Sequence, residues 1–145
     1  DLWEDGMAWT FQTCTDVIFF ASLSNTSFLP PHKATFVELN KRCQQDFGVT
    51  PHPTEMVDTW NYVNKLNNSS HILFVNGLQD MWAGGSVLWN VSDTVVAINI
   101  EDGAHHSDLS HEGPTDQDTD DVKQAYIEIE TIIKKWLNEI QVKQN

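Results

Sequence analysis

Basic residues are scarce: Lys and Arg number 8 against 21 Asp and Glu, a formal net charge of -13 over 145 residues. Such a balance repels phosphate backbones and counts against nucleic acid as a partner. No apolar run approaches the ~18 residues of a membrane span, and no secretory leader pattern opens the chain, which begins at Asp1. There is no internal repeat and no low-complexity tract. Cysteine is limited to Cys14 and Cys43, with no CxxC and no nearby His pair, so no familiar metal motif is present.

What is present suits a packed core. Hydrophobic residues make up 40% of the chain, with six Trp and seven Phe, which argues against disorder. The length fits one domain, since domains run roughly 100–200 residues. The acids are unevenly placed: residues 101–121 hold eight Asp or Glu and no Lys or Arg. An acidic compartment would neutralise part of that charge, which fits a lysosomal or secreted protein. Asn25, Asn67, Asn68 and Asn90 each open an Asn-X-Ser/Thr sequon and point to the secretory route. Adjacent Asn67 and Asn68 are not expected to be modified together. The two cysteines read either as buried thiols or, on an oxidising route, as a bridge.

Periodicity divides the chain in two. Residues 3–15 are aromatic and irregular in pattern, and residues 22–31 read as a loop ending in Pro30-Pro31. A helix is expected over residues 34–46, with Phe36, Leu39, Cys43 and Phe47 near one face and Gly48 at its stop. The prolines of VTPHP bar its continuation. A second helical stretch is expected over residues 54–66, with Val57, Trp60 and Val63 inward. Then the pattern changes. His71-Ile-Leu-Phe-Val75 and Thr94-Val-Val-Ala-Ile-Asn-Ile100 are continuous apolar runs, as strands buried on both faces are. Residues 118–140 predict an amphipathic helix whose stripe is Val122, Ala125, Tyr126, Ile129, Ile132, Ile133, Trp136 and Ile140. Strand, loop, strand, loop, helix describes the end of an α/β domain. Two strands and one helix cannot enclose a core, so the rest of the sheet is expected upstream.

In open α/β sheets the reactive groups gather past the carboxyl ends of the strands. Asp80 and His105 occupy equivalent places after the two runs, 25 positions apart with one strand between. Acid then histidine on successive post-strand loops is the order of an α/β-hydrolase triad. The imidazole takes and returns a proton while the carboxylate holds its tautomer. Two ordinary polar loop residues are the plain alternative. A zinc site from Asp80, His105, His106, Asp108 and His111 is a rival, weakened because adjacent histidines in extended chain point opposite ways. Asp116, Asp118 and Asp120 imitate the start of a calcium loop, but Asp121 and Ile127 occupy its glycine and glutamate positions. No GxSxG occurs, and Gly85-Ser86 falls in the wrong place in the triad order.

The residues around the pair carry a resemblance. NGxxDxWxGG at residues 76–85, followed by GAHHxDL at 103–109, closely resembles the C-terminal region of the prolyl carboxypeptidase and dipeptidyl peptidase II family of serine peptidases. Trp9-Thr-Phe-Gln-Thr-Cys-Thr-Asp16 is similar to that family's WxYQxCTE segment. Cys43 with Phe47-Gly48-Val49 and Pro51-His-Pro53 is similar to its C…WGVxPxP segment. The resemblance implies an α/β fold in which residues 1–57 end a helical cap and residues 58–145 form the C-terminal part of an α/β-hydrolase domain. It implies that Asp80 and His105 are catalytic, with the serine and oxyanion hole upstream. Trp82 would wall the pocket for a substrate proline, Phe19 would also face substrate, and Cys14 and Cys43 would be disulfide-bonded. Expected partners are proline-containing peptides and, as a homodimer, a second copy of the chain, with no cofactor. The sequence departs from the family pattern at Met81 for proline, Ser86 for glycine, Asp16 for glutamate and Phe11 for tyrosine. The competing expectation is a catalytically silent, glycosylated relative acting as a binding module.

Overall fold

The computed structural model describes residues 2–20, 22–23, 25–26, 28–58 and 61–144. It separates into two compact units, Asp1–Val63 and Asn64–Asn145.

The first unit is helical. Helix α1 spans Leu2–Thr15, although its sequence lacks a clean apolar stripe and includes Gly6 and three threonines. Those threonines satisfy their own hydroxyls: Thr10, Thr13 and Thr15 donate back to the carbonyls of Gly6, Thr10 and Phe11. Tertiary contacts offset the weak propensity. Cys14 and Cys43 form a disulfide, both fully buried, and Phe11 meets Phe47 edge-on with ring centroids 5.4 Å apart. The expectation of irregular structure over residues 3–15 is therefore corrected.

Helix α2, Phe36–Phe47, begins with a reciprocal capping box. The Thr35 hydroxyl accepts from Glu38 N, and Thr35 N donates to the Glu38 carboxylate. It ends at Gly48 in the left-handed conformation, φ 68°, whose N–H donates back to the Gln44 carbonyl. The helical stretch expected over residues 54–66 is two short helices, α3 at Glu55–Asp58 and α4 at Tyr62–Asn67. Asn61 between them has φ 48°, a left-handed turn that asparagine tolerates and a continuous helix does not. Trp60 lies outside the described residues, as do the side chains of Val57 and Val63.

The second unit holds the sheet. Strands β1, Ile72–Gly77, and β2, Val95–Ile100, pair in parallel with Ile72 opposite Val95 and Gly77 opposite Ile100. Helix α5, Asp120–Gln144, covers one face. Ile98, Ile100, Val122 and Ala125 make the core, with Leu73, Val75, Tyr126, Ile129 and Ile132 against it. Asp120 and Asp121 in its first turn complement the helix dipole. Ile133 and Ile140, expected in the inward stripe, are exposed. Ile133 lies beside the covered row of Ile129, Ile132 and Trp136. At about 1.5 Å per residue the helix also outruns a six-residue strand, so its final turns, with Ile140, pass beyond the sheet. Trp136, at the last covered position, packs edge-on against His71 with centroids 5.3 Å apart. Among the described residues no helix is long and apolar enough to cross a membrane.

Candidate active site

Each strand ends in a tight loop, and two glycines bring those loops together. Gly77 closes β1 so near the loop after β2 that a Cβ on it would lie 2.6 Å from Gly103 O and collide with Ala104 O. A Cβ on Gly103 would lie 2.8 Å from the Ile100 side chain. Leu78 N donates to Ile100 O, and Gln79 N to Gly103 O, both at 2.9 Å, so the loops are stitched main chain to main chain.

That seam sets Asp80 beside His105. Asp80 is the N-cap of a short 3-10 helix, Met81–Gly85. One carboxylate oxygen accepts from Trp82 N at 3.0 Å; the other lies 2.6 Å from His105 Nδ1. Asp80 is 15% exposed at its side chain and His105 55%. The hydrogen bond to His105, then that from Trp82 N, lower the Asp80 pKa below the usual carboxylate range. An ionised carboxylate can only accept, so the hydrogen of this bond sits on Nδ1 and Nε2 is the ring nitrogen not engaged with Asp80.

His106 departs from expectation. Its φ is 60°, and this left-handed turn stacks its ring on that of His105, centroids 3.7 Å apart and planes 28° from parallel. The two imidazoles therefore do not diverge as they would in extended chain. His106 O is held by Leu109 N at 2.9 Å and by the Ser110 hydroxyl at 2.8 Å. Among the described residues no group of three or more His, Cys, Asp or Glu is arranged to hold a metal ion.

Trp82 stands two residues from Asp80 in the 3-10 helix and is half-buried. Phe19 belongs to the first unit, half-buried in the segment after α1. Asn76 opens the NGxxDxWxGG motif, but its supporting role is concealed in the sequence, where hydrophobic patterning shows only the polar end of an apolar strand. It is 6% exposed, and its Nδ2 donates to Val87 O at 3.0 Å and to Asn99 Oδ1 at 3.1 Å. Both ends of the loop that carries Asp80 are thereby tied together. Asp121 is a second: its carboxylate accepts from Asp102 N at 2.7 Å and anchors the histidine loop to α5.

An α/β unit with an acid and a histidine at the carboxyl ends of adjacent parallel strands is an arrangement found in hydrolases. Residues 2–128 match the family described as serine carboxypeptidase S28, and the chain belongs to that family. It is similar to the lysosomal Pro-X carboxypeptidase of Homo sapiens, 36% identical over 104 residues, covering 71% of this chain and 21% of that protein. It is 29% identical to the prolyl carboxy peptidase like protein 5 of Caenorhabditis elegans over 145 residues, covering 93% of this chain and 28% of that one. The thymus-specific serine protease of Homo sapiens is 27% identical over 111 residues, with 74% and 22% covered. The chain thus spans about a fifth to somewhat over a quarter of the length of these relatives.

Proposed function

We propose that this chain supplies the acid and the base of a Ser-Asp-His triad in a serine-type exopeptidase that hydrolyses the peptide bond after proline. The observation that carries the reading is the 2.6 Å bond between His105 Nδ1 and Asp80, made at the carboxyl ends of two adjacent parallel strands. The serine and the oxyanion donors come from a preceding segment of the polypeptide. His105 Nε2 takes the serine proton as Oγ attacks the proline carbonyl carbon, and returns it to the leaving amine of the residue that follows. A water then repeats the cycle on the acyl-enzyme. Asp80 keeps the imidazole in the tautomer this needs and offsets the charge that develops on it.

Trp82 and Phe19 are the substrate contacts of this reading. A flat indole face suits a pyrrolidine ring, which is largely apolar and has no N–H to satisfy. The sheet and α5 belong to an α/β-hydrolase domain, residues 58–145, and residues 1–57 end a helical cap. Family membership, the four sequons and the disulfide favour a lysosomal or secreted location.

The test uses the full-length protein and a peptide with proline before the scissile bond. Asp80→Asn and His105→Ala should each lower kcat by about 10³-fold or more, whereas His106→Ala should retain most of the rate. Near-full activity in either of the first two variants would contradict the assignment.

A further inference from the structure

Strand β2 has two edges. One pairs with β1. Along the other runs the segment between the 3-10 helix and β2, and it occupies the first part of that edge. Val91 N and Ser92 N donate to Val95 O at 2.9 and 3.2 Å, and Val95 N donates to Ser92 Oγ at 3.1 Å. Ala97 N donates to Asn90 Oδ1 at 2.9 Å, and Asn99 Nδ2 donates to Leu88 O at 2.8 Å. Val95 N, Val95 O and Ala97 N, main-chain groups that an edge strand would offer to another strand, are thus taken locally.

Asn90 is both a bond in this seal and the first residue of the sequon Asn90-Val91-Ser92. Its amide is planar, so with Oδ1 turned onto Ala97 the Nδ2 faces away from the strand. Asn90 is exposed and lies outside any helix. The other sequons are placed less favourably. Asn68 Nδ2 donates to Asn64 O at 2.9 Å, Asn67 is the last residue of α4, and Ser27 of the Asn25 sequon lies outside the described residues.

We propose that Asn90 carries an N-linked oligosaccharide, which completes the cover over the outer edge of β2. The inference rests on the secretory location proposed above. The sugar donor is a lipid-pyrophosphate-linked oligosaccharide. Its anomeric carbon bonds to Nδ2, its bond to the pyrophosphate oxygen breaks, and the proton lost from Nδ2 leaves with the lipid pyrophosphate. Transfer to the nascent chain precedes folding, and the fold keeps the product because it uses Oδ1 internally and leaves Nδ2 outward. A hydrated glycan here stands beside Trp89, which is 60% exposed, and bars other chains from this edge. Further strands of the sheet then pair on β1.

The experiment expresses the full-length protein through a eukaryotic secretory route. N-glycans are released enzymatically in ¹⁸O-water and the peptides are read by mass spectrometry. Residue 90 should be recovered as ¹⁸O-labelled aspartate. Asn90→Asp and Asn90→Leu should each remove one glycan's mobility shift. Only the leucine variant also loses the acceptor for Ala97 N, so its thermal midpoint should fall below that of the aspartate variant; equal midpoints would contradict the sealing role. If Asn90→Leu fails to accumulate, the aspartate variant alone reports the glycan. Recovery of unmodified Asn90 beside another occupied sequon would overturn the inference and leave the secretory reading standing. Four bare sequons together with free Cys14 and Cys43 thiols would overturn both.

Discussion

Gly77 and Gly103 meet backbone to backbone, and no side chain fits between the loops they belong to. This contact sets the distance between Asp80 on one loop and His105 on the other. Gly77→Ala should therefore act on the site from the end of the strand. Its methyl meets main chain, which cannot rotate away, so the cost should be about 1–3 kcal/mol of stability. Displacement of the loops by about 1 Å should lower kcat of the full-length enzyme by ~10²-fold. Denaturant unfolding and steady-state kinetics on the same preparation check both; unchanged values for both would mean the loops are not held by this contact.

Asn76 should be nearly as sensitive despite lying away from the reacting atoms. Asn76→Leu removes two donated hydrogen bonds and leaves Val87 O and Asn99 Oδ1 without them. The expected loss is about 1–3 kcal/mol, with faster hydrogen exchange and protease cleavage concentrated in residues 77–87. Uniform destabilisation without that local signature would argue that Asn76 supports the sheet rather than the loop.

The disulfide closes a separation of 29 residues between Cys14 and Cys43. Loop-closure entropy of that length corresponds to roughly 3–4 kcal/mol. Reduction, or Cys43→Ser, should loosen α1 from α2, read as rapid proteolysis at the end of α1 and a lower denaturation midpoint. An unchanged midpoint under reductant would contradict a stabilising role.

Acid should weaken the second unit through three carboxylates. Asp80 is lowered in pKa by His105 and Trp82 N, Asp118 by the Thr115 N–H and hydroxyl, and Asp121 by the Thr119 hydroxyl and Asp102 N. A carboxyl whose folded pKa lies below its unfolded value of about 3.9 stabilises fully above that value. The stabilisation is lost as pH falls through the folded pKa. Stability from these groups should thus be flat down to about pH 5 and decline below pH 4. Asp121→Asn should flatten part of that decline in a series of denaturant melts; an unaltered slope would remove Asp121 from the account.

Much of the second unit was legible in the sequence. The apolar runs at residues 71–75 and 94–100 became β1 and β2, but the expected burial on both faces is not met: Ile72–Val75 are half-buried and Asn99 is exposed, because α5 covers one face only. The long amphipathic stripe became α5, and the polar loops after the strands carried Asp80 and His105. Helix α1 was not legible. Its propensity is weak, and what orders it is a disulfide and a ring contact with α2, partners some thirty positions away. The break at Asn61 and the exposure of Ile133 and Ile140 were hidden too: periodicity reports a face, but not a local left-handed turn, nor how wide the covered row is, nor where the element beneath it ends.

The site divides in the same way. Sequence alone determined which residue types stand past each strand, and the order of acid and histidine along the chain, because both are properties of local pattern. Tertiary structure decided that the two side chains meet at 2.6 Å and that the His106 ring stacks on His105 instead of turning away. It also decided that Asn76 and Asn90 serve as clamp and seal. Those outcomes depend on parallel pairing in register, on two glycines that admit close main-chain approach, and on a left-handed φ at His106. The first two arise only when segments distant in sequence are packed against one another; the last is a local turn between adjacent residues, which hydrophobic periodicity does not report.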